Sequence, residues 1–378
     1  MQLPSNFVII CVCFSILFSV VVIAISLPQQ RLTNFFERLG FRGEGDGKLP
    51  HCVGGENKSI YLKRIRFKSS IPVDRWKKIQ GELELFYRRK IYKIEQSEND
   101  IRKIDIYLIE TPLPPYIEFK EEWIEKDGAR FAIGEGYNGR LVWDADILAH
   151  GLVAGSTGSG KTGILRCIAH QAIQKRWNVT ILDFKGGGDF TDVEQEAKKY
   201  SDLEKSYGPC VISEPKEAHD LLMALTIETK GRLEIFQKVG VSNINEYNES
   251  GQGHFVPWLI IIDEAAEVFD VRAKDKAEKE MYSEMDYYLR TLARTSRAAG
   301  IHILMGFIRP DANVLDGQIK NNLLWRVCGF FSDPAASRIV LDSDHAVGLP
   351  PEIKGRFIIG DEEAQAYYMP IQKSAPEV

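Results

Sequence analysis

The chain has no pair of CxxC units, no internal repeat and no excess of positive charge. Its six cysteines are isolated or lie in an apolar run, so their spacing is not that of a zinc site, and we interpret them as small apolar side chains. The formal net charge is −5 over 378 residues, which excludes a basic surface gripping nucleic acid over the whole molecule. Any contact with a polyanion must be local or shared over an assembly.

Charge is also absent from residues 7–27. A helix of this length, rising about 1.5 Å per residue, covers the roughly 30 Å of a bilayer core. No basic residue precedes the run and no small-x-small site clearly follows it, which disfavours a cleaved signal peptide. Arg31, Arg38 and Arg42 come directly after it. The positive-inside rule therefore predicts that residues 1–30 are a single-pass anchor in the cell membrane, with the rest of the chain in the cytoplasm.

The next part of the chain divides into a linker and a small module. Residues 31–50 include the glycine-rich and charged FRGEGDGKLP, which predicts a linker. Residues 51–115 predict a small α+β module with strands over 59–67, 91–94 and 104–108 and a helix after Pro72. The module ends in the stiff segment TPLPP. Its basic run at 88–90 is interpreted as a solvated helix end rather than a DNA contact.

Residues 150–162 read HGLVAGSTGSGKT, an apolar run followed by a glycine-rich turn ending in Lys161 and Thr162. This order predicts a phosphate-binding loop between a buried strand and a helix, with backbone N–H groups pointing at a triphosphate. Lys161 can reach the outer phosphates, and the Thr162 hydroxyl can ligate Mg²⁺. The residues predicted to bind ATP are Gly155, Ser156, Thr157, Gly158, Ser159, Gly160, Lys161 and Thr162. Strands and helices alternate after this loop, which predicts a doubly wound parallel sheet.

A second motif, WLIIIDE, ends an apolar strand in Asp263 and Glu264. About one hundred residues after a phosphate-binding loop, such a pair is typical of a Walker B motif. Asp263 would hold the metal ion through its water shell. Glu264 would orient and polarise the attacking water, so it is the predicted catalytic carboxylate together with Lys161.

Two further features leave alternatives open. The segment DFKGGGDF at 183–190 follows the predicted strand over 179–183, where Lys185 or Asp189 could touch nucleotide, substrate or a neighbouring subunit; a plain turn is equally compatible.

Arg294 and Arg297 lie near the end of a long charged helix predicted over 273–299. They suit the helix dipole, and they equally suit an arginine finger supplied to a neighbouring subunit.

From about Ala129 to Met369 the chain resembles the FtsK/SpoIIIE family of membrane-anchored, ring-forming ATPases. The matching segments, in order, are HGLVAGSTGSGKT, GR with VSNINEYN, WLIIIDEAAEV, TSRAAGIHIL, RP and SDPAASRIVLD. The resemblance implies a RecA-like P-loop ATPase over residues 116–378, with ATP and Mg²⁺ as cofactors. It also implies a homo-oligomer, commonly a hexamer, that moves double-stranded DNA without sequence preference. Arg297 matches the arginine before the AGIH turn, and Arg338 matches one in the segment before LD.

Two departures bear on function. Phe307 and Ile308 stand where the family commonly has a polar pair, and isoleucine cannot hydrogen-bond a terminal phosphate through its side chain, so we expect slow hydrolysis or sensing by another residue. No winged-helix module follows the motor in this sequence. The arrangement looks like the coupling ATPases of conjugative plasmids and integrative elements, whose partners are a conjugation channel and DNA-processing proteins. The alternatives are a type VII-like polypeptide secretion ATPase, suggested by DFKGGGDF, and an ATP-binding docking platform with little hydrolysis.

Overall fold

The computed structural model describes residues 29–186, 188–199, 210–269, 275–311 and 314–370. The chain forms two compact units, and the boundary between them falls between Pro112 and Leu113, inside the TPLPP segment. The predicted membrane segment at 7–27 lies outside the described residues. Within the described ranges, no helix is both long and apolar enough to span a bilayer.

The smaller unit is a four-stranded antiparallel sheet in the order β1-β2-β4-β3, with its helices packed on one face. The predicted strands and helix are present, together with a first strand that the sequence did not indicate. The strands are β1 His51–Asn57, β2 Leu62–Lys68, β3 Ile91–Gln96 and β4 Lys103–Ile109. The helices are α1 (described over 29–38), α2 Val73–Lys78 and α3 Gln80–Tyr87.

The predicted linker over 31–50 is wrong in its first part. Leu32, Phe35 and Phe36 on α1, and Phe41 after it, belong to the buried core of the small unit. Phe36 lies edge-on to Trp76 of α2, with ring centroids 5.5 Å apart. The apolar residues at 32, 35 and 36 have helical spacing, whereas the glycines and charges that indicated a linker begin only after Phe41.

The larger unit is built on a ten-stranded sheet in the order β6-β5-β14-β13-β12-β7-β11-β10-β8-β9. Neighbouring strands from β12 to β9 are parallel, as predicted, whereas β13, β14, β5 and β6 extend the sheet in antiparallel pairs. The strands are β5 Arg130–Gly136, β6 Gly139–Asp144, β7 Gly151–Ala154, β8 Asn178–Leu182, β9 Val211–Ile212, β10 Trp258–Ile262, β11 Ile301–Phe307, β12 Trp325–Gly329, β13 Arg356–Ile359 and β14 Glu362–Ala366.

Helices cover both faces of this sheet, because the central strands are apolar on both sides. In β10, Ile260 and Ile262 face a core that includes Met285, whereas Leu259 and Ile261 face a second core that includes Leu165. The helices are α4 Lys161–Gln174, α5 Thr191–Lys198, α6 Pro215–Val239, α7 Ile244–Glu249, α8 Ala266–Phe269, α9 Lys276–Thr295, α10 Gly317–Lys320 and α11 Pro334–Leu341. The fold is therefore α/β with a large, mainly parallel sheet, consistent with a RecA-like P-loop ATPase.

Candidate nucleotide-binding site

The glycine-rich loop joins β7 to α4 at the carboxyl edge of the parallel strands. Gly158 and Gly160 have φ values of 84° and 102°, a left-handed conformation that favours glycine. A Cβ on Gly160 would also lie 2.8 Å from the Gly355 nitrogen, and the Gly355 N–H donates to the Ser159 carbonyl at 2.8 Å. The loop is thus held against the segment before β13, with α4 beginning at Lys161.

The structure brings the two predicted half-sites together. The Lys161 ammonium donates to the Asp263 carbonyl oxygen and lies 3.0 Å from the Asp263 Oδ1 atom. Thr162 Oγ1 lies 3.4 Å from the same Oδ1 atom. A hydroxyl and a carboxylate so close together fit Mg²⁺, which is usually held by one or two protein oxygens, phosphates and water.

Glu264 lies beside this pair, directly after β10. Both of its carboxylate oxygens accept the Ile308 N–H, at 3.2 and 3.1 Å. Burial raises the pKa of Glu264, and the Lys161 ammonium offsets this only in part. A raised pKa makes a carboxylate a stronger proton acceptor near neutral pH, which suits a group that orients and polarises water.

A glycine in β11 makes room for these contacts. A Cβ on Gly306 would overlap the Asp263 carbonyl oxygen and lie 2.9 Å from Lys161 Nζ. Position 306 therefore requires a glycine, because a larger side chain would displace the Asp263 carbonyl or the Lys161 ammonium. No sequence motif points to Gly306, although a glycine inside an apolar strand is a known sign of close backbone approach.

The cleft has a volume of about 420 Å³, within the range of small-molecule sites. Its lining includes seven of the eight predicted loop residues, 156–162 but not Gly155, together with Lys185, Asp189, Asp263, Ile308 and Lys354. The role of Lys185 could not be decided from the sequence. In the structure its Nζ atom lies 3.4 Å from Asp263 Oδ2 and 3.6 Å from Glu264 Oε2. Lys354 was missed, because no motif surrounds it.

Arg297 is not brought to this cleft. It lies in the turn before β11, and its Nη2 and Nε atoms donate to the Asp146 carbonyl oxygen at 2.8 and 3.2 Å. The cleft is at the other end of β11, and a seven-residue strand is roughly 23 Å long. Within one chain, Arg297 and Glu264 therefore do not share a site.

The profile of the FtsK/SpoIIIE family matches residues 116–312, more than half of the chain. The chain belongs to the FtsK/SpoIIIE family. This confirms the resemblance that the motifs indicated, and the matched range contains both the phosphate-binding loop and the Asp263–Glu264 pair.

Relatives within and around this family include translocases and a conjugation protein. The solved monomer of the pCW3 conjugation coupling protein TcpA with ATPγS is 34% identical, with a TM-score of 0.66, and the alignment covers 90% of this chain and 95% of that one. The DNA translocase FtsK of Streptococcus agalactiae is 27% identical over 85% of this chain and 41% of its own length. The FtsK of Oceanobacillus iheyensis is 28% identical over 62% of this chain and 32% of its own length. This chain thus spans less than half the length of these two translocases.

One segment carrying the family resemblance has a structural role here. Arg232 of the GR pair is buried, and its Nη1 atom donates to the carbonyl oxygens of Val256 and Ala299 at 3.1 and 3.0 Å. The Ile244 N–H donates to the Ala298 carbonyl oxygen at 2.9 Å. These contacts hold α6 and α7 against the turn that carries Arg297.

Proposed function

We propose that this chain is a membrane-anchored ATPase that moves double-stranded DNA, acting as a ring of subunits that couples DNA to a conjugation channel. The observation that carries the ATPase is that Lys161, Thr162 and Asp263 line one cleft, with Glu264 beside them, 3.6 Å from the Nζ atom of Lys185. The conjugation role is supported by the similarity to TcpA over nearly the full length of both chains. Membrane anchoring is supported by the uncharged run at 7–27.

The chemistry follows from the contacts. The loop N–H groups and Lys161 would bind the phosphates. Thr162 and Asp263 would hold Mg²⁺, which neutralises and polarises the phosphates when it is bound. Glu264, held by the Ile308 N–H, would orient the attacking water and accept its proton.

The charge distribution supports a local grip on DNA. Residues 29–112 contain 18 Lys and Arg against 12 Asp and Glu, whereas residues 113–378 contain 30 against 41. An acidic motor unit would hold DNA through a few loop contacts repeated around a ring rather than through its general surface. Non-specific binding by phosphate contacts weakens steeply with salt, so we expect salt-sensitive DNA binding.

The test is ATP turnover with and without double-stranded DNA. The fragment should begin at residue 29, because starting after α1 would remove core residues of the small unit. DNA stimulation that disappears in Lys161→Ala would support the proposal. Turnover stimulated by a peptide but unaffected by DNA would instead indicate polypeptide secretion.

A docking platform is the second candidate, and Ile308 is the observation that favours it. Its side chain lines the cleft without a hydrogen-bonding group, and its N–H is already engaged by Glu264. ATP binding with no turnover, with or without DNA, would favour the platform over the translocase.

A further inference from the structure

Lys185 reaches the site from the side opposite the phosphate-binding loop. It follows β8, which flanks β10 on one side, whereas the loop follows β7, beyond β11 on the other. The Lys185 N–H donates to Asp183 Oδ1 at 3.0 Å, which fixes the turn that presents the side chain. Lys161 contacts Oδ1 of Asp263 and Lys185 contacts Oδ2. One carboxylate is therefore held between two ammonium groups.

The two lysines differ in their freedom to move. The Lys161 side chain is 6% exposed, whereas that of Lys185 is 42% exposed. Lys185 can turn from the carboxylates into the cleft without disturbing the core. Among the described residues that line the cleft, the cations are Lys161, Lys185 and Lys354. Lys185 is the one that lies against both Asp263 and Glu264.

The neighbouring position 308 cannot supply a polar contact to the outer phosphate. Its side chain is apolar and its N–H is donated to Glu264. A bound triphosphate would bring several negative charges next to the two carboxylates, and the nearest mobile counter-charge is the Lys185 ammonium.

We infer that Lys185 contacts the terminal phosphate of a bound nucleoside triphosphate and distinguishes it from a diphosphate. Without nucleotide, the same ammonium holds Asp263 and Glu264. When it turns to the phosphate, Glu264 is left with the Ile308 N–H and is free to orient water. This inference rests on the proposed nucleotide-binding function, and it assigns to Lys185 the polar contact that Ile308 cannot make.

The experiment compares the affinities for ATPγS and ADP, in the presence of Mg²⁺, in the full chain and its Lys185 variants. Lys185→Ala should lose ATPγS affinity by about tenfold or more, the usual effect of one hydrogen bond to a charged group, while ADP affinity changes little. Lys185→Arg, which keeps the charge, should recover part of the loss. Lys198→Ala is the matched control, because Lys198 is exposed and pairs with Glu194 at 3.1 Å outside the cleft.

Equal losses of affinity for ATPγS and ADP in Lys185→Ala would mean a structural role, and two affinities equal to those of the wild type would mean no contact; either result overturns the inference. The translocase proposal fails separately. If the wild-type chain prefers ATPγS through Lys185 but DNA does not stimulate turnover, only the translocase proposal fails. If DNA stimulates turnover and Lys185→Ala keeps the wild-type ratio, only the Lys185 assignment fails.

Discussion

At position 308 the backbone N–H makes a hydrogen bond to Glu264, whereas the isoleucine side chain can make none. The Ile308 N–H holds Glu264, so a substitution that keeps the backbone should keep this contact. Ile308→Gln adds a side chain that can hydrogen-bond a phosphate or the attacking water. We expect turnover to rise several-fold, up to about tenfold, which is a fraction of what one well-placed donor contributes in evolved enzymes.

Steady-state ATPase rates and ATPγS affinities measure this effect. Ile308→Val is the control, because it shortens the side chain without adding polarity, and it should leave turnover close to wild type. A slower Ile308→Gln enzyme with normal ATPγS binding would show that the apolar side chain does not limit hydrolysis.

The ionised carboxylate of Glu264, which the proposed function needs, lowers the stability of the folded protein. Because burial raises its pKa in the folded protein, ionisation of Glu264 costs stability once the pH exceeds the ordinary glutamate range. Glu264→Gln should therefore raise the free energy of unfolding at pH 7.5, and the gain should shrink as the pH falls to about 4.5, where the carboxyl group is increasingly protonated in both states. The same variant should lose turnover by at least about 100-fold.

Denaturant unfolding at the two pH values, alongside ATPase rates, measures both effects. Exposed Glu267→Gln, three residues along the chain, is the matched control and should show no such gain at either pH. Loss of stability in Glu264→Gln at pH 7.5 would mean that the contacts to Ile308 and Lys185 outweigh the burial of the charge.

Residues within motifs could be predicted, and residues that reach the site from elsewhere could not. Lys161, Thr162, Asp263 and Glu264 stand at motif spacing; in the structure the first three line one cleft and Glu264 lies beside them. Lys354 reaches the cleft from the loop before β13, nearly 200 residues after Lys161. Only the pairing of distant strands brings such a residue near, and a local pattern does not carry that information.

At the scale of elements, the close approach of β10 and β11 determines whether the Lys161 ammonium can reach the Asp263 carbonyl oxygen. Gly306→Ala places a methyl group against the Asp263 carbonyl and the Lys161 ammonium. We expect a loss of about 1–3 kcal/mol in the free energy of unfolding, as for overpacked cores, and weaker ATPγS binding. Unfolding and nucleotide titrations measure the two losses.

Gly231→Ala is the matched control for this substitution. Gly231 lies inside α6, and a Cβ there would have no atom within 4 Å. Alanine should be neutral or stabilise by up to about 1 kcal/mol through helix propensity. Equal behaviour of the two variants would contradict the role given to Gly306.

His170 links α4 to two other segments. Its Nδ1 and Nε2 atoms lie 2.7 Å from Glu196 of α5 and 2.8 Å from Glu121. Burial opposes the charge, but these carboxylates outweigh it and raise the pKa of His170. The resulting stabilisation is fully present below the ordinary histidine pKa of about 6.5 and is lost as the pH rises through the raised value.

The wild-type chain should therefore exceed His170→Gln in stability by on the order of 1 kcal/mol at pH 6, with a smaller difference at pH 8.5. Unfolding curves at both pH values measure it. Exposed His254→Gln is the control for replacing a histidine by glutamine. A His170→Gln difference that grows with pH would contradict the ion-pair explanation.

Elements with strong local patterns could be predicted, and those defined by distant partners could not. The buried strands β7, β8 and β10 and the helix α9 follow their apolar patterns. The antiparallel part of the sheet was not predicted. Strands β5 and β6 join the sheet through β14, which lies more than 220 residues later in the chain. Helix α1 was predicted as part of a linker because glycines and charges follow it, although its own apolar residues have helical spacing.

For the whole molecule, the proposed ring raises the hypothesis that a neighbouring subunit completes each nucleotide site. Arg297 is exposed and lies at the opposite end of β11 from its own cleft. If it acts in trans, Arg297→Ala should lose DNA-stimulated turnover while keeping its affinity for ATPγS, because its own phosphate-binding loop is intact.

Mixing inactive subunits tests this directly. Lys161→Ala subunits retain Arg297, and Arg297→Ala subunits retain Lys161, so an interface between the two can contain one complete site. Random mixing in equal amounts should restore about a quarter of the sites, provided that subunits exchange. Each variant alone is the control and should stay inactive. Absence of recovery in an assembled mixture, together with a lower melting temperature for Arg297→Ala, would instead assign Arg297 to holding Asp146 within its own chain.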